Sequence, residues 1–446
     1  MEPSPMRPKR LLPLLLVLGL SAGAATAADE GLDDLFDLDA DPAAASGADQ
    51  ASGPRVSGHA EFGAAYTWPD DGHWSKLRGR LELGVGASLG PRSRYKLSAR
   101  ADVDAAYDLE DGYYPRAVRR DQRSGFMIRE AYADFGTGDW EFRLGRQHVV
   151  WGEMVGLFFA DVVSARDLRE FYLPEFEALR TPQWAVRAEH FGEDTHLELL
   201  WIPVPSFDEV GKPGADFYPF PLPAGTRVKE RDTSATLSNT NWGLRLSRLI
   251  DGWDLAAYHY RSRDVSPTLY ALDGGTRFEL RHDRIQQTGF TLSKDLGSLV
   301  LKGEAVYTGG RSFSTTDPAA RYGLHDSDTL DYVVGLDIPV RDVWRFNLQY
   351  YERVFYDHER LMPNDRHEGG MTFLVNRSFG DALEAELLYV ASLNRSDYML
   401  RPKLVWRIAP EWRGVFGADL FGGRTDGIFG RYDERDRVYI ELRRWF

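Results

Sequence analysis

From Lys76 onward the chain alternates between apolar and polar positions. Leu77, Gly79, Leu81, Leu83, Val85, Ala87 and Leu89 form one set, and Lys76, Arg78, Arg80, Glu82, Gly84, Gly86 and Ser88 the other. This is the side-chain geometry of a strand with one apolar and one wetted face. After Gly90-Pro91 the pattern returns, with Tyr95, Leu97, Ala99, Ala101, Val103, Ala105 and Tyr107 opposite Arg94, Lys96, Ser98, Arg100, Asp102 and Asp104. It recurs at Trp344, Phe346, Leu348 and Tyr350 against Arg345, Asn347 and Gln349, and at Tyr398, Leu400, Leu404, Trp406 and Ile408 against Arg401, Lys403 and Arg407. Strands of about 13 residues exceed the mode of about 5–6 in soluble sheets. They suit a tilted strand that crosses a bilayer in about 9–11 residues.

Short turns fall at Gly90 to Ser93, Gly136 to Asp139, Gly192 to Asp194, Asp251-Gly252, Asp295 to Gly297, Pro339 to Asp342, Gly380-Asp381 and Pro410-Glu411, with longer polar loops between them. The pattern predicts an all-β protein, a single-chain antiparallel transmembrane β-barrel of about 18 strands, with 16 the other even count. Alternation slips at Ser124 to Phe135, Thr195 to Val204 and Arg277 to Lys294. At the C-terminus Val438, Ile440, Leu442 and Phe446 share one face, and Arg437, Glu441 and Arg443 the other. This ending resembles the terminal strand read by the bacterial barrel-assembly machinery, which makes Phe446 the expected recognition residue. Arg444 breaks the apolar register, at a place where its side chain can snorkel to the interface.

The one sustained apolar run, Leu11 to Leu20, follows Arg7, Lys9 and Arg10 and precedes Ala25-Thr26-Ala27. Basic, apolar and small residues in that order predict a signal peptide over 1–27, cleaved near Ala27, and hence a Gram-negative outer-membrane destination. Residues 28–54 carry eight acids and little apolar bulk, which predicts a disordered periplasmic segment before a barrel over 55–446. Leu32, Leu35, Phe36 and Leu38 within it offer the alternative of a docking peptide for a periplasmic partner. The chain has no cysteine, so sheet closure rather than disulfides must supply stability.

If the apolar set faces the outer-membrane lipids, the polar set lines the lumen. The clear strands place Lys76, Arg78, Arg80, Arg94, Lys96, Arg100, Arg143, Lys302, Arg345, Arg401, Lys403, Arg407, Arg437 and Arg443 there. Against these stand Glu82, Asp102, Asp104, Glu141, Glu304, Glu384, Glu386 and Glu441, so the inferred wall is basic although the chain has a net charge of −14. A basic conduit lowers the barrier for anions and predicts transport of an anionic small molecule or acidic polysaccharide. Arg and Glu ladders that merely satisfy one another are the other reading.

Two long connections interrupt the pattern. Val150 to Pro182 carries Phe158, Phe159, Phe171, Tyr172 and Phe176, and Ser164-Ala165-Arg166-Asp167 reads as the capped start of a short helix through Tyr172. The expectation is an inward constriction, with an extracellular cap as the alternative. Pro205 to Ser238 carries five prolines with Phe217, Tyr218 and Phe220, the composition of a surface lid or disordered loop.

Leu144-Gly145-Arg146-Gln147, Trp151-Gly152-Glu153, Asp161-Val162-Val163, Arg166-Asp167-Leu168 and Arg180-Thr181-Pro182 together resemble the signature stretch of an uncharacterised group of proteobacterial outer-membrane barrel proteins. The Gly-Arg-Gln element and the size are also similar to alginate-export porins, from which the Trp-Gly-Glu step departs. The resemblance implies a porin-like transport role; read from the residues themselves, Arg146 and Glu153 at a strand end beside the inward loop are candidates to gate or bind solute, or equally to anchor the loop as an ion pair.

Ten histidines lie scattered with no H-x-x-x-H pair, so neither an enzyme nor a cofactor is expected. An outer-membrane hydrolase is the rival class, and passage of lipid or hydrophobic compounds with a periplasmic partner is another. The bases are dispersed along strands rather than gathered on a patch, which gives no support for nucleic-acid binding.

Overall fold

The computed structural model describes residues 53–69, 72–110, 112–152, 154, 160–222, 226–341 and 343–446. Among these, eighteen strands form one sheet. They are β1 (Arg55–Thr67), β2 (His73–Gly90), β3 (Ser93–Asp104), β4 (Ser124–Thr137), β5 (Trp140–Gln147), β6 (Gln183–Phe191), β7 (Thr195–Val204), β8 (Asn241–Ile250) and β9 (Trp253–Arg263). The second half comprises β10 (Arg284–Asp295), β11 (Val300–Gly309), β12 (Thr329–Val340), β13 (Trp344–Phe355), β14 (His367–Phe379), β15 (Leu383–Ser392), β16 (Asp397–Ala409), β17 (Trp412–Gly422) and β18 (Arg437–Trp445). Each pairs antiparallel with the next. β18 returns to β1, with His59 opposite Trp445 and Thr67 opposite Arg437, so the sheet closes into a barrel.

The period of two sorts the side chains radially. Leu81, Leu83, Leu97, Leu246, Val334, Leu348, Trp406 and Ile408 are exposed on the outer surface, while Arg80, Arg100, Glu304 and Asn347 on the alternate register are buried inside. A continuous apolar outer band is what a soluble monomer avoids. No helix is long and apolar enough to cross a membrane among the described residues, and the strands need none.

The irregular stretches have local causes. In β4 the register shifts opposite Ser98/Ala99, so Arg129 is an extra residue and points inward together with Glu130. In β7, Leu200 and Ile202 are apolar although they face inward, because a loop covers them. Arg277–Arg281 is not part of the barrel: it pairs with Thr268–Leu272 and Arg227–Glu230 in a separate three-stranded sheet, and β10 begins only at Arg284. The strand expected to run through Tyr107 stops at Asp104, whose carboxylate accepts the backbone N–H groups of Leu77 and Ala106. Tyr107 then turns inward on the helix Ala106–Leu109 and is buried.

Candidate functional site

The long connection after β5 folds into the barrel and spans it. On one side Trp151 packs in a buried apolar cluster with Val149, Val163, Ile202, Tyr260 and Val306. Its indole N–H donates to Glu198 of β7 at 3.1 Å, and Glu304 of β11 accepts the backbone N–H groups of Met154 and Ala160 at 3.2 and 3.1 Å. Twenty residues later the same loop lies on the opposite arc. Arg401 of β16 donates to the Leu173 carbonyl at 2.7 Å, and Arg129 of β4 donates to the Glu177 and Arg180 carbonyls at 2.6 Å each. The inward constriction therefore describes the loop, and the extracellular cap does not.

The helix expected from Ser164 to Tyr172 is absent. Ser164 Oγ is engaged with the Val149 carbonyl and Asp161. Ala165–Arg166 pairs as a short strand with Arg180–Thr181, and among the loop's described residues the one helical turn is Phe176–Leu179. The proline-rich connection after β7 is ordered over its described residues. Its Asp208 accepts the Arg166 backbone N–H at 2.8 Å, and its Phe217 enters a second buried cluster with Phe171, Leu173, Phe421, Phe429 and Tyr432.

Between loop and wall runs a strip of ion pairs. Glu170 sits 2.7 Å from Lys76, 2.6 Å from Arg78 and 3.2 Å from Arg437. Burial alone would push its carboxyl up, but Lys76, Arg78 and Arg437 outweigh it and hold the group well below the usual carboxylate range. Glu175 lies 2.9 Å from Arg413 and 3.5 Å from Arg443, and despite its burial these arginines likewise hold it low. The wall adds its own acids. Asp419 joins Arg401 and Arg437 at 2.7 and 2.8 Å, Glu61 meets Arg443 at 2.6 Å, and Asp102 lies between Arg80 (2.5 Å) and Arg100 (3.2 Å).

The inferred excess of lumenal base is thus largely compensated. Glu61, Glu130, Asp134, Asp337 and Asp419 face inward too, and Glu170 and Glu175 arrive from the loop, where no strand periodicity could reveal them. Toward the short-turn end Arg143 and Arg94 share Asp134 at 2.7 Å each, and Lys96 reaches Glu130 at 2.7 Å. Lys403 pairs with Glu386 at 2.9 Å, and Arg345 lies 3.7 Å from Asp337. Lys96 and Arg345 keep side-chain exposures of 42% and 52% toward the lumen, and Arg407 has no acidic partner among the described residues.

The signature residues divide differently from the expectation. Arg146 is cross-strand from Trp184, which is exposed on the outer surface. It therefore points outward and not into the conduit, and its Nε donates to the Ile128 carbonyl at 2.6 Å. Gly145, at φ +128°, sits so close to β4 that a Cβ would lie 2.1 Å from the Ala131 carbonyl. Gln147 is fully buried and donates to backbone carbonyls including that of Ala185 at 3.1 Å. Asp161 joins Ser164 (2.8 Å), Arg180 (3.0 Å) and Arg166 (3.9 Å) into a knot that holds the loop's base, and Asp167 is clamped by Arg169 at 2.6 Å. Glu153, Phe158 and Phe159 lie outside the described residues. Gly86-Ala87-Ser88-Leu89-Gly90 fits the spacing of a hydrolase nucleophile elbow, but it lies inside β2 with a turn after it instead of a helix.

The barrel is similar in fold to two solved structures from Acinetobacter baumannii. OccAB1 matches with a TM-score of 0.56 at 8% identity, covering 88% of this chain and 96% of that one. OccAB4 matches with a TM-score of 0.53 at 11% identity, covering 88% and 98%. At such identities the likeness is one of fold. No curated protein sequence matches the chain. A family model does match, over residues 74–408, from the start of β2 almost to the end of β16 and so across both the constricting loop and most of the wall it crosses; the chain belongs to the family described as "Protein of unknown function (DUF1302)".

Proposed function

We propose that the protein is an outer-membrane channel that conducts anionic solutes, acidic oligosaccharides among them, past a loop-built constriction. The observation that carries this reading is the lumen-spanning loop together with the lumenal bases Lys96 and Arg345, whose side chains keep exposures of 42% and 52%. In such a narrow, partly dehydrated passage fixed positive charge favours anions over cations. The short-turn end is then periplasmic and the long-loop end extracellular. Residues 1–27 direct export and are removed near Ala27. The acidic 28–54 segment precedes β1 on the periplasmic side, where a partner can meet it, and Phe446 engages the barrel-assembly machinery. No catalytic role is assigned.

Planar-bilayer recording with a salt gradient tests the reading. The reversal potential should report chloride preference, and the double charge reversal Lys96→Glu with Arg345→Glu should shift it toward cations by about threefold in permeability ratio. Cation preference in the unaltered protein would refute anion conduction.

A second reading has its own support. Leu200, Ile202, Tyr258, Tyr260 and Val306 give the β7–β11 arc an apolar inner face, which the loop covers here and which would suit hydrophobic compounds once the loop lifts. Liposome uptake of a fluorescent fatty acid, equal in empty and protein-containing vesicles, would remove it.

A further inference from the structure

The loop's acids occupy the place that a travelling anion would take on the wall. Arg437 and Lys76 are almost wholly buried, at 2% and 4% exposure. Cations so enclosed are strongly destabilising without a counter-charge, so this part of the wall needs an anion at all times. Asp419 serves one side of Arg437 permanently, because it is rooted in β17. The other side of Arg437 is served by Glu170, which belongs to the loop and lies nearer to Lys76 and Arg78 (2.7 and 2.6 Å) than the strand acids Glu441 (3.7 Å) and Glu61 (3.8 Å) do.

Two further features mark Glu170 as exchangeable. Phe171, next to it, has φ +55°, a left-handed conformation unfavourable for a bulky side chain, so the docked loop stores backbone strain that undocking releases. Beside Glu170 a recess of about 50 Å³ is lined by Ser75, Arg78, Arg80, Asp102 and Arg169. Arg78 lines it, and its buried Nε has no hydrogen-bond partner among the described residues, so the guanidinium holds a spare donor.

We infer that Lys76, Arg78 and Arg437 form a carboxylate-binding station of the conduit, occupied at rest by the Glu170 carboxylate of the constricting loop and taken over in transit by a carboxylate of the solute. The exchange conserves charge at the station, so the buried bases are never exposed unpaired. This inference rests on the anion-channel reading above.

The test uses the mature full-length protein in planar bilayers, with succinate as the probe and succinamide as the uncharged control. In Glu170→Gln the station loses its internal competitor. Succinate should then interrupt the current at concentrations about tenfold lower than in the unaltered channel, succinamide should have no effect, and the anion-to-cation permeability ratio should rise about threefold. Glu170→Asp keeps the charge but draws it back, and should give an intermediate succinate response. If Glu170→Gln does not assemble, as judged by heat-modifiable migration, the aspartate variant decides: an intermediate response supports the station, and one equal to the unaltered channel overturns it. Unchanged succinate sensitivity in an assembled Glu170→Gln channel also overturns it. If Lys96→Glu with Arg345→Glu still shifts selectivity in that case, the anion conduit stands without the station; if it does not, both readings fall.

Discussion

At the scale of single residues, Trp151 shows how a side chain that looked functional is structural. It is 2% exposed, and its ring fits only because the facing wall residue is Gly243: a Cβ there would lie 2.6 Å from Trp151 Cη2 and 2.8 Å from the Tyr260 ring. Trp151→Ala should therefore cost about 3–5 kcal/mol, the range for emptying a large aromatic site, and lower the urea midpoint in detergent. Gly243→Val should also destabilise, by overpacking, and combining it with Trp151→Ala should lose less than the sum of the two. Additive losses in that double-mutant cycle would show that the two sites do not touch.

Among elements, the constricting loop is held in place by groups that titrate. Glu170 and Glu175 have carboxyl groups held below their ordinary range by the bases they meet. A depressed folded-state value means that the stabilisation is complete above the ordinary carboxylate range and is lost as pH falls through the lowered one. The loop should stay docked from neutral pH down past pH 4 and release only in stronger acid. Protease nicking within 160–182, followed across pH with an acid-active protease, should increase there; increased nicking already between pH 7 and 5 would contradict the ion-pair latch. His148, just past the end of β5, adds no switch in that window, because burial and the nearby Arg129, Arg180, Lys96 and Arg146 hold its imidazole well below the usual histidine range.

For the whole molecule, closure is the source of stability, since the chain has no cysteine. The unheated protein should migrate differently from the boiled one on gels, as a closed sheet that detergent alone does not open. Phe446 completes the seam: its N–H donates to the Gly58 carbonyl and its carbonyl accepts the Gly58 N–H, both at 3.0 Å. Deleting Phe446 should leave any barrel that does form heat-modifiable but reduce the assembled fraction in the outer membrane several-fold. Equal assembly with and without it would deny this residue a role in recognition.

The strand register was readable from sequence because each strand residue faces either lipid or the interior, and the two environments demand opposite side chains. Leu81 against Arg80 and Trp406 against Arg407 are placed by that demand alone, and counting such runs between turns leads to eighteen strands. Where the demand weakens, the reading fails. Leu200 and Ile202 are apolar on the inner face because a loop covers them, Arg129 is displaced by a bulge, and Arg146 is a charge on the same outer register as Leu144. The sign of the conduit was beyond periodicity for a related reason. Alternation tells which wall residues point inward, but Glu170 and Glu175 reach Lys76, Arg78, Arg437 and Arg413 across separations from 92 to 267 residues, from a loop with no repeating pattern. The sequence by itself determined a closed barrel and its two faces, through local alternation. Only the tertiary structure decided how much of the inner charge is already spoken for, because ion pairing depends on separation in space.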